Sequence, residues 1–138
     1  MARILCIDYG KKRTGLAVTD PLQIIAGGLP TIETHKLFDF LKQYTSTEEV
    51  ETIVIGMPLN LDDSSTHATP LVKEAIVRLK KLFPQINIVE VDERFTSTLA
   101  KRAMLDMGMK KKDRAVKGNV DEIAATIMLQ DYLNSINR

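Results

Sequence analysis

Tryptophan is missing from this chain of 138 residues, tyrosine and phenylalanine together supply only 5% of it, and there is a single cysteine. One cysteine cannot form an internal disulfide, which fits a reducing compartment. Cys6 lies inside an apolar run and reads as a buried, inert thiol. Histidine is equally sparse. His35 and His67 stand apart, with no cysteine or histidine at ligand spacing, which argues against a zinc site. No apolar run approaches the roughly 20 residues of a membrane span. The opening MARILCID enters a strand at once, without a signal-peptide layout. A cytoplasmic protein with no membrane partner is the expectation.

Apolar residues make up 44% of the chain and charged residues 27%, and the length is that of one domain spanning residues 1–138. The net charge of +1 hides a segregation. Residues 1–20 hold four basic and two acidic side chains, and residues 99–118 hold seven and two. The rest is acidic on balance. If the fold joins the two basic segments, the resulting patch suits a polyanion; otherwise these are solvated lysines.

Arg3–Tyr9 and Arg13–Thr19 read as strands joined across Gly10, close enough for an antiparallel hairpin. Asp20-Pro21 makes the next turn, and an extended segment over Gln23–Ile32 completes a meander, with Gly27-Gly28 the expected bulge. Leu37, Phe38, Leu41 and Tyr44 recur at helical spacing over residues 34–46. Glu51–Met57 is a buried strand, residues 68–83 an amphipathic helix, and Ile86–Val91 a fifth strand. Ser97–Met107 reads as helix, residues 109–118 as a mobile basic loop, and a last helix runs from Asn119 or Val120 to Tyr132. The order βββαβαβαα implies an α/β fold, a mixed five-stranded sheet with helices on both faces.

The chemistry gathers around acids at strand ends. Ile4, Cys6 and Asp8 share one face of the first strand, so Asp8 continues an apolar row, a costly place for a carboxylate without a partner. Asp92-Glu93 ends the fifth strand, and alternation lets only one of the two face Asp8. Asp121 lies on a helical stripe with Ala124, Ala125, Met128 and Tyr132, and the alanines let that helix approach the sheet. Three gathered carboxylates repel unless a cation joins them, and oxygen ligands suit Mg²⁺ or Mn²⁺. Alternatively, each acid serves as a helix cap, a turn former or half of an ion pair.

Four blocks, Ile7-Asp8-Tyr9-Gly10 with Lys12 and Gly15 to Val18, Gly56 to Asn60, Asp92 to Ser97, and Lys117 through Asp121 to Ala125, resemble the YqgF/RuvX family in order and spacing. That resemblance covers essentially the whole chain. It implies the RNase H-like fold of the RuvC-type resolvases and a metal-dependent nuclease, with Asp8 and Asp121 as catalytic acids. Where RuvC-type enzymes place an acid after the fourth strand, this chain has Gly56-Met57-Pro58, so the third acid falls to Glu93 or Asp92, with Glu93 favoured. The family implies processing of the 5′ end of the 16S ribosomal RNA precursor, or resolution of Holliday junctions, by a monomer or homodimer.

On this basis Asp8, Glu93 and Asp121 are the metal ligands. Lys11, Lys12, Arg13, Asn60, Arg94, Lys110, Lys111, Lys112, Arg114 and Lys117 are candidates for binding structured pre-ribosomal RNA or branched DNA. Asn60 serves equally well as a turn residue. With so few aromatics, phosphate contacts rather than stacking would carry affinity, and binding would weaken with salt. Two other classes share the opening motif or the basic patch. An actin- or sugar-kinase-like domain also begins with an Asp-x-Gly hairpin but usually needs two domains. A non-catalytic RNA-binding module would keep its activity after Asp8→Asn.

Overall fold

The computed structural model describes residues 2–57, 69–92 and 117–136, with position 92 and residues 117–122 described by their backbone alone. Strand β1 spans Arg3–Tyr9, β2 Arg13–Thr19 and β3 Ala26–Glu33. A 3-10 turn over Thr34–Lys36 leads into helix α1, Leu37–Thr47. Strand β4 (Val50–Met57), helix α2 (Thr69–Leu82), strand β5 (Asn87–Asp92) and helix α3 (Lys117–Ile136) follow. The expected helix over Ser97–Met107 lies outside the described residues.

The five strands form one mixed sheet in the order β3-β2-β1-β4-β5. β1 pairs antiparallel with β2, and β2 with β3; β1, β4 and β5 run parallel. Parallel pairing places the C-terminal ends of β1, β4 and β5 at one sheet edge, with the β1–β2 turn beside them. Alternation divides the strand residues between two cores. Leu5, Ile7, Leu16, Ile53 and Ile55 face α1 and α2, meeting Leu37, Leu41, Val72, Ile76 and Leu79. Ile4, Cys6, Ala17 and Val54 face α3, meeting Ala125, Met128, Leu129 and Leu133. Burial of such side chains contributes roughly 1.5–3 kcal/mol each, so neither face is dispensable. Cys6 is fully buried, as the apolar run requires.

This is the α/β architecture expected, except that β3 begins at Ala26 rather than Gln23, which the preceding turn takes up at φ 60°, and with two further local differences. The bulge in β3 does not fall at Gly27-Gly28, which pair regularly with Val18 and Ala17. It falls where Thr14 pairs with Ile32 and Leu16 with Leu29, so β3 carries one extra residue around Pro30 and Thr31. Proline has no N–H for the ladder, and β3 is an edge strand that tolerates the break. The second difference is at the last helix, which begins at Lys117 rather than Asn119 or Val120. Lys117 therefore opens α3 instead of ending a loop. Among the described residues, no helix is long and apolar enough to cross a membrane.

Candidate active site

Asp8 occupies the last-but-one position of β1 and is half-buried on the face covered by α3. Its antiparallel partner in β2 is Gly15. On the other side, the parallel register Ile7↔Ile55 continues to Gly56. Glycine thus stands beside the carboxylate in both neighbouring strands, where cross-strand side chains would otherwise crowd it. The carboxylate is therefore carried near the end of a strand paired on both sides, with no cross-strand side chain at its own level.

The β1–β2 turn comes directly after it. Lys11 and Lys12 are exposed, and Arg13 is half-buried at the start of β2. A Cβ at Gly10 would lie 2.2 Å from the carbonyl oxygen of Arg13, so only glycine lets the chain fold back this tightly. Thr34, from beyond β3, fastens the turn at both ends. Its backbone N–H donates to the Lys12 carbonyl at 2.9 Å, and its hydroxyl donates to the Gly10 carbonyl at 2.6 Å. That hydroxyl has one hydrogen, so the Thr14 hydroxyl 2.8 Å away donates to it in turn. Thr14 and Thr34 are both buried. Sequence reasoning missed this pair, since a threonine before a helix looks like a cap and nothing local marks its partner.

Tyr9, next to Asp8, points the other way, toward the α1 and α2 core. Burial raises its phenol pKa above the ordinary value; the negative charge of Glu74 adds to this, and Arg78 opposes it. The guanidinium of Arg78 lies 4.0 Å from the ring centre of Phe38, so this cluster fastens α2 to α1. It stands across the sheet from Asp8.

Asp92 is the last residue of β5, level with Met57 of β4 and at the same sheet edge as Asp8. One strand, β4, separates it from β1, two ladder spacings or roughly 10 Å. In β5, Val89 and Val91 face the α3 core and Ile88 the other. Asp121 is the fifth residue of α3, one turn before Ala124 and Ala125, both buried against the sheet. The stripe those alanines head continues to Met128, buried, and Tyr132, half-buried. Glu93, Asn60, Arg94, Lys110, Lys111, Lys112 and Arg114 lie outside the described residues. Among the described residues, no three acidic, histidine or cysteine side chains form a group that could hold a metal ion. His35 is exposed beside Glu33, Nε2 to Oε2 3.2 Å, and has no place in the site.

A protein-family model described as "RuvX: Holliday junction resolvase" matches residues 2–135. The chain is 52% identical over 135 residues to a protein of Flavobacterium johnsoniae named "Putative pre-16S rRNA nuclease", covering 98% of each. It is 54% identical to a Phocaeicola vulgatus protein of the same name, covering 98% of this chain and 97% of that one. Among solved structures, "T. thermophilus RuvC in complex with Holliday junction substrate" superposes with a TM-score of 0.59 at 12% identity, over 99% of this chain and 96% of that one. The fold is that of RuvC, RNase H-like.

Proposed function

The chain belongs to the RuvX family, and on that premise we propose that it is a metal-dependent nuclease that matures the 5′ end of the 16S ribosomal RNA precursor in the cytoplasm. The observation that carries this is Asp8, half-buried at the end of the central strand, level with Gly15 and followed by a lysine-bearing turn. The names of the close relatives supply the RNA substrate.

The donor chemistry fits Mg²⁺ or Mn²⁺, which take carboxylate oxygens and water. Asp8, Asp121 and Glu93 would hold the ion or ions. Asp92 is the alternative to Glu93 as the third acid. A bound divalent cation supplies an activated water and offsets charge on the phosphate under attack. The chain's own part is to hold that phosphate in line. Lys11, Lys12 and Arg13 take phosphate oxygens next to Asp8, and no protein nucleophile is needed. Arg94, Lys110, Lys111, Lys112, Arg114 and Lys117 would extend the track, and Asn60 would meet the substrate from the loop after β4.

A second reading, cleavage of four-way DNA junctions, is favoured by the family's own description. Symmetric paired cuts would then require a homodimer. One experiment addresses both. Precursor 16S RNA and a synthetic four-way junction are incubated with wild type and Asp8→Asn, with Mg²⁺, Mn²⁺ or EDTA. We expect metal-dependent RNA cleavage, lost in EDTA and lowered about a hundredfold or more in Asp8→Asn. Paired junction cuts with intact RNA would favour the resolvase. RNA binding without cleavage of either substrate would make the chain a binding module.

A further inference from the structure

From the network around Thr34 we infer that this residue is a positioning residue for phosphate binding, although it lies outside the four blocks that carry the family resemblance. The inference rests on the nuclease function proposed above and extends it to how the lysine turn is aimed. Gly10, Lys11 and Lys12 are the whole connection between β1 and β2. Thr34 is no passive neighbour of that connection: it hydrogen-bonds the carbonyls of both Gly10 and Lys12, bracketing Lys11. Thr34 and Thr14 are both buried, and the bond between their hydroxyls is buried with them, so water cannot easily replace that support.

The lysines gain from this arrangement. Their side chains are exposed, and their backbone is fixed from the far side of the turn by a residue that carries no charge. A phosphate therefore meets ammonium groups on a preorganised backbone, and less ordering is left for the moment of binding. Thr34 touches no substrate in this arrangement. It acts through the turn.

Thr34→Val keeps the β-branched shape and the backbone bond to Lys12 while removing the hydroxyl; Thr34→Ser keeps the hydroxyl. The probe is a labelled stem-loop RNA with a single-stranded 5′ extension, titrated across a KCl series, with melting temperatures and Mg²⁺-dependent cleavage measured in parallel. Thr34→Val should raise Kd roughly fivefold and flatten the salt dependence, because fewer phosphates are neutralised. Cleavage at saturating RNA should change much less, and Thr34→Ser should restore both Kd and slope. In a Lys11→Gln, Lys12→Gln background, Thr34→Val should add little.

Wild-type Kd and slope in Thr34→Val, with only the melting temperature lowered, would overturn the inference. So would a full additive loss in the lysine-free background. If Thr34→Val does not fold, Thr14→Val takes its place, with the same signs and smaller size; an unchanged Kd there counts equally against it. If wild type itself neither binds nor cleaves RNA, the nuclease function falls first and takes this role with it. That outcome is distinct from an active wild type with an indifferent Thr34→Val.

Discussion

Strand β2 connects two turns that solve opposite problems. The turn before it, Gly10 to Lys12, is held from outside by Thr34 and leaves its own side chains to the solvent. The turn after it, from Asp20 to Ile25, is held from within. The Asp20 carboxylate accepts the backbone N–H groups of Leu22, Ile24 and Ile25 at 3.2, 2.8 and 2.8 Å. Gln23, at φ 60°, completes the wrap and donates its side-chain N–H to the Ala2 carbonyl at 2.9 Å and to Glu51. A self-capped turn commits its polar side chain to its own backbone. An externally capped turn keeps its lysines available. In these terms, the first turn leaves its charged side chains uncommitted, as the proposed phosphate contacts require, and the second closes a meander.

The difference can be broken most forcefully at Gly10. A Cβ there must displace the Arg13 carbonyl, so Gly10→Ala should cost about 1–3 kcal/mol of stability. A Cβ at Gly27 meets its nearest atom at 3.8 Å, an ordinary contact, so Gly27→Ala should lie within about 0.5 kcal/mol of wild type. Gly27 lies in β3, beyond the second turn, and serves as the control; urea denaturation of both variants checks the pair, and equal losses would mean that the first turn does not require Gly10.

A smaller effect is expected from charge. Lys11→Gln with Lys12→Gln should weaken RNA binding about tenfold and lower the slope of log K against log salt by about 1.4–1.8, two phosphates' worth. Stability should hardly change, because both side chains are exposed. Filter binding at several salt concentrations measures it.

The smallest effect tests the second turn. Backbone hydrogen bonds, that from Ile25 foremost, hold the Asp20 carboxyl below the usual carboxylate range. A depressed folded-state pKa means stability present above about pH 4 and lost as pH falls through the folded value. Asp20→Ala should therefore melt a few degrees below wild type at neutral pH, and the gap should close in acid. Cleavage per folded molecule should match wild type. A gap independent of pH would show that the carboxylate charge is not what caps this turn.

The sequence made the architecture legible where alternation and helical spacing speak locally. Ile4, Cys6 and Asp8 do share a face, and Ala124, Ala125 and Met128 do form the buried stripe of the last helix. Asp20-Pro21 announced its turn because proline's fixed φ is a local signal; the Asp20 cap itself came only with the structure. Asp8 stood out because an acid at the end of an apolar row has a recognisable cost. Thr34 did not stand out, because its partners lie 24 and 20 positions away and meet it only through the pairing of three strands. The bulge was misplaced for a related reason. Two glycines look more permissive than a proline, yet on an edge strand the missing N–H interrupts the ladder.

That bulge absorbs a change of phase. Leu29 and Ile32 stand three apart, yet both pack against the α1 and α2 core, because the extra residue between them is taken up opposite Gly15. Deleting either Pro30 or Thr31 would leave the pair two apart, still on one face and opposite Leu16 and Thr14, in a regular ladder. In this segment the surplus residue is a kink in an edge strand, and the facing on either side of it does not depend on it.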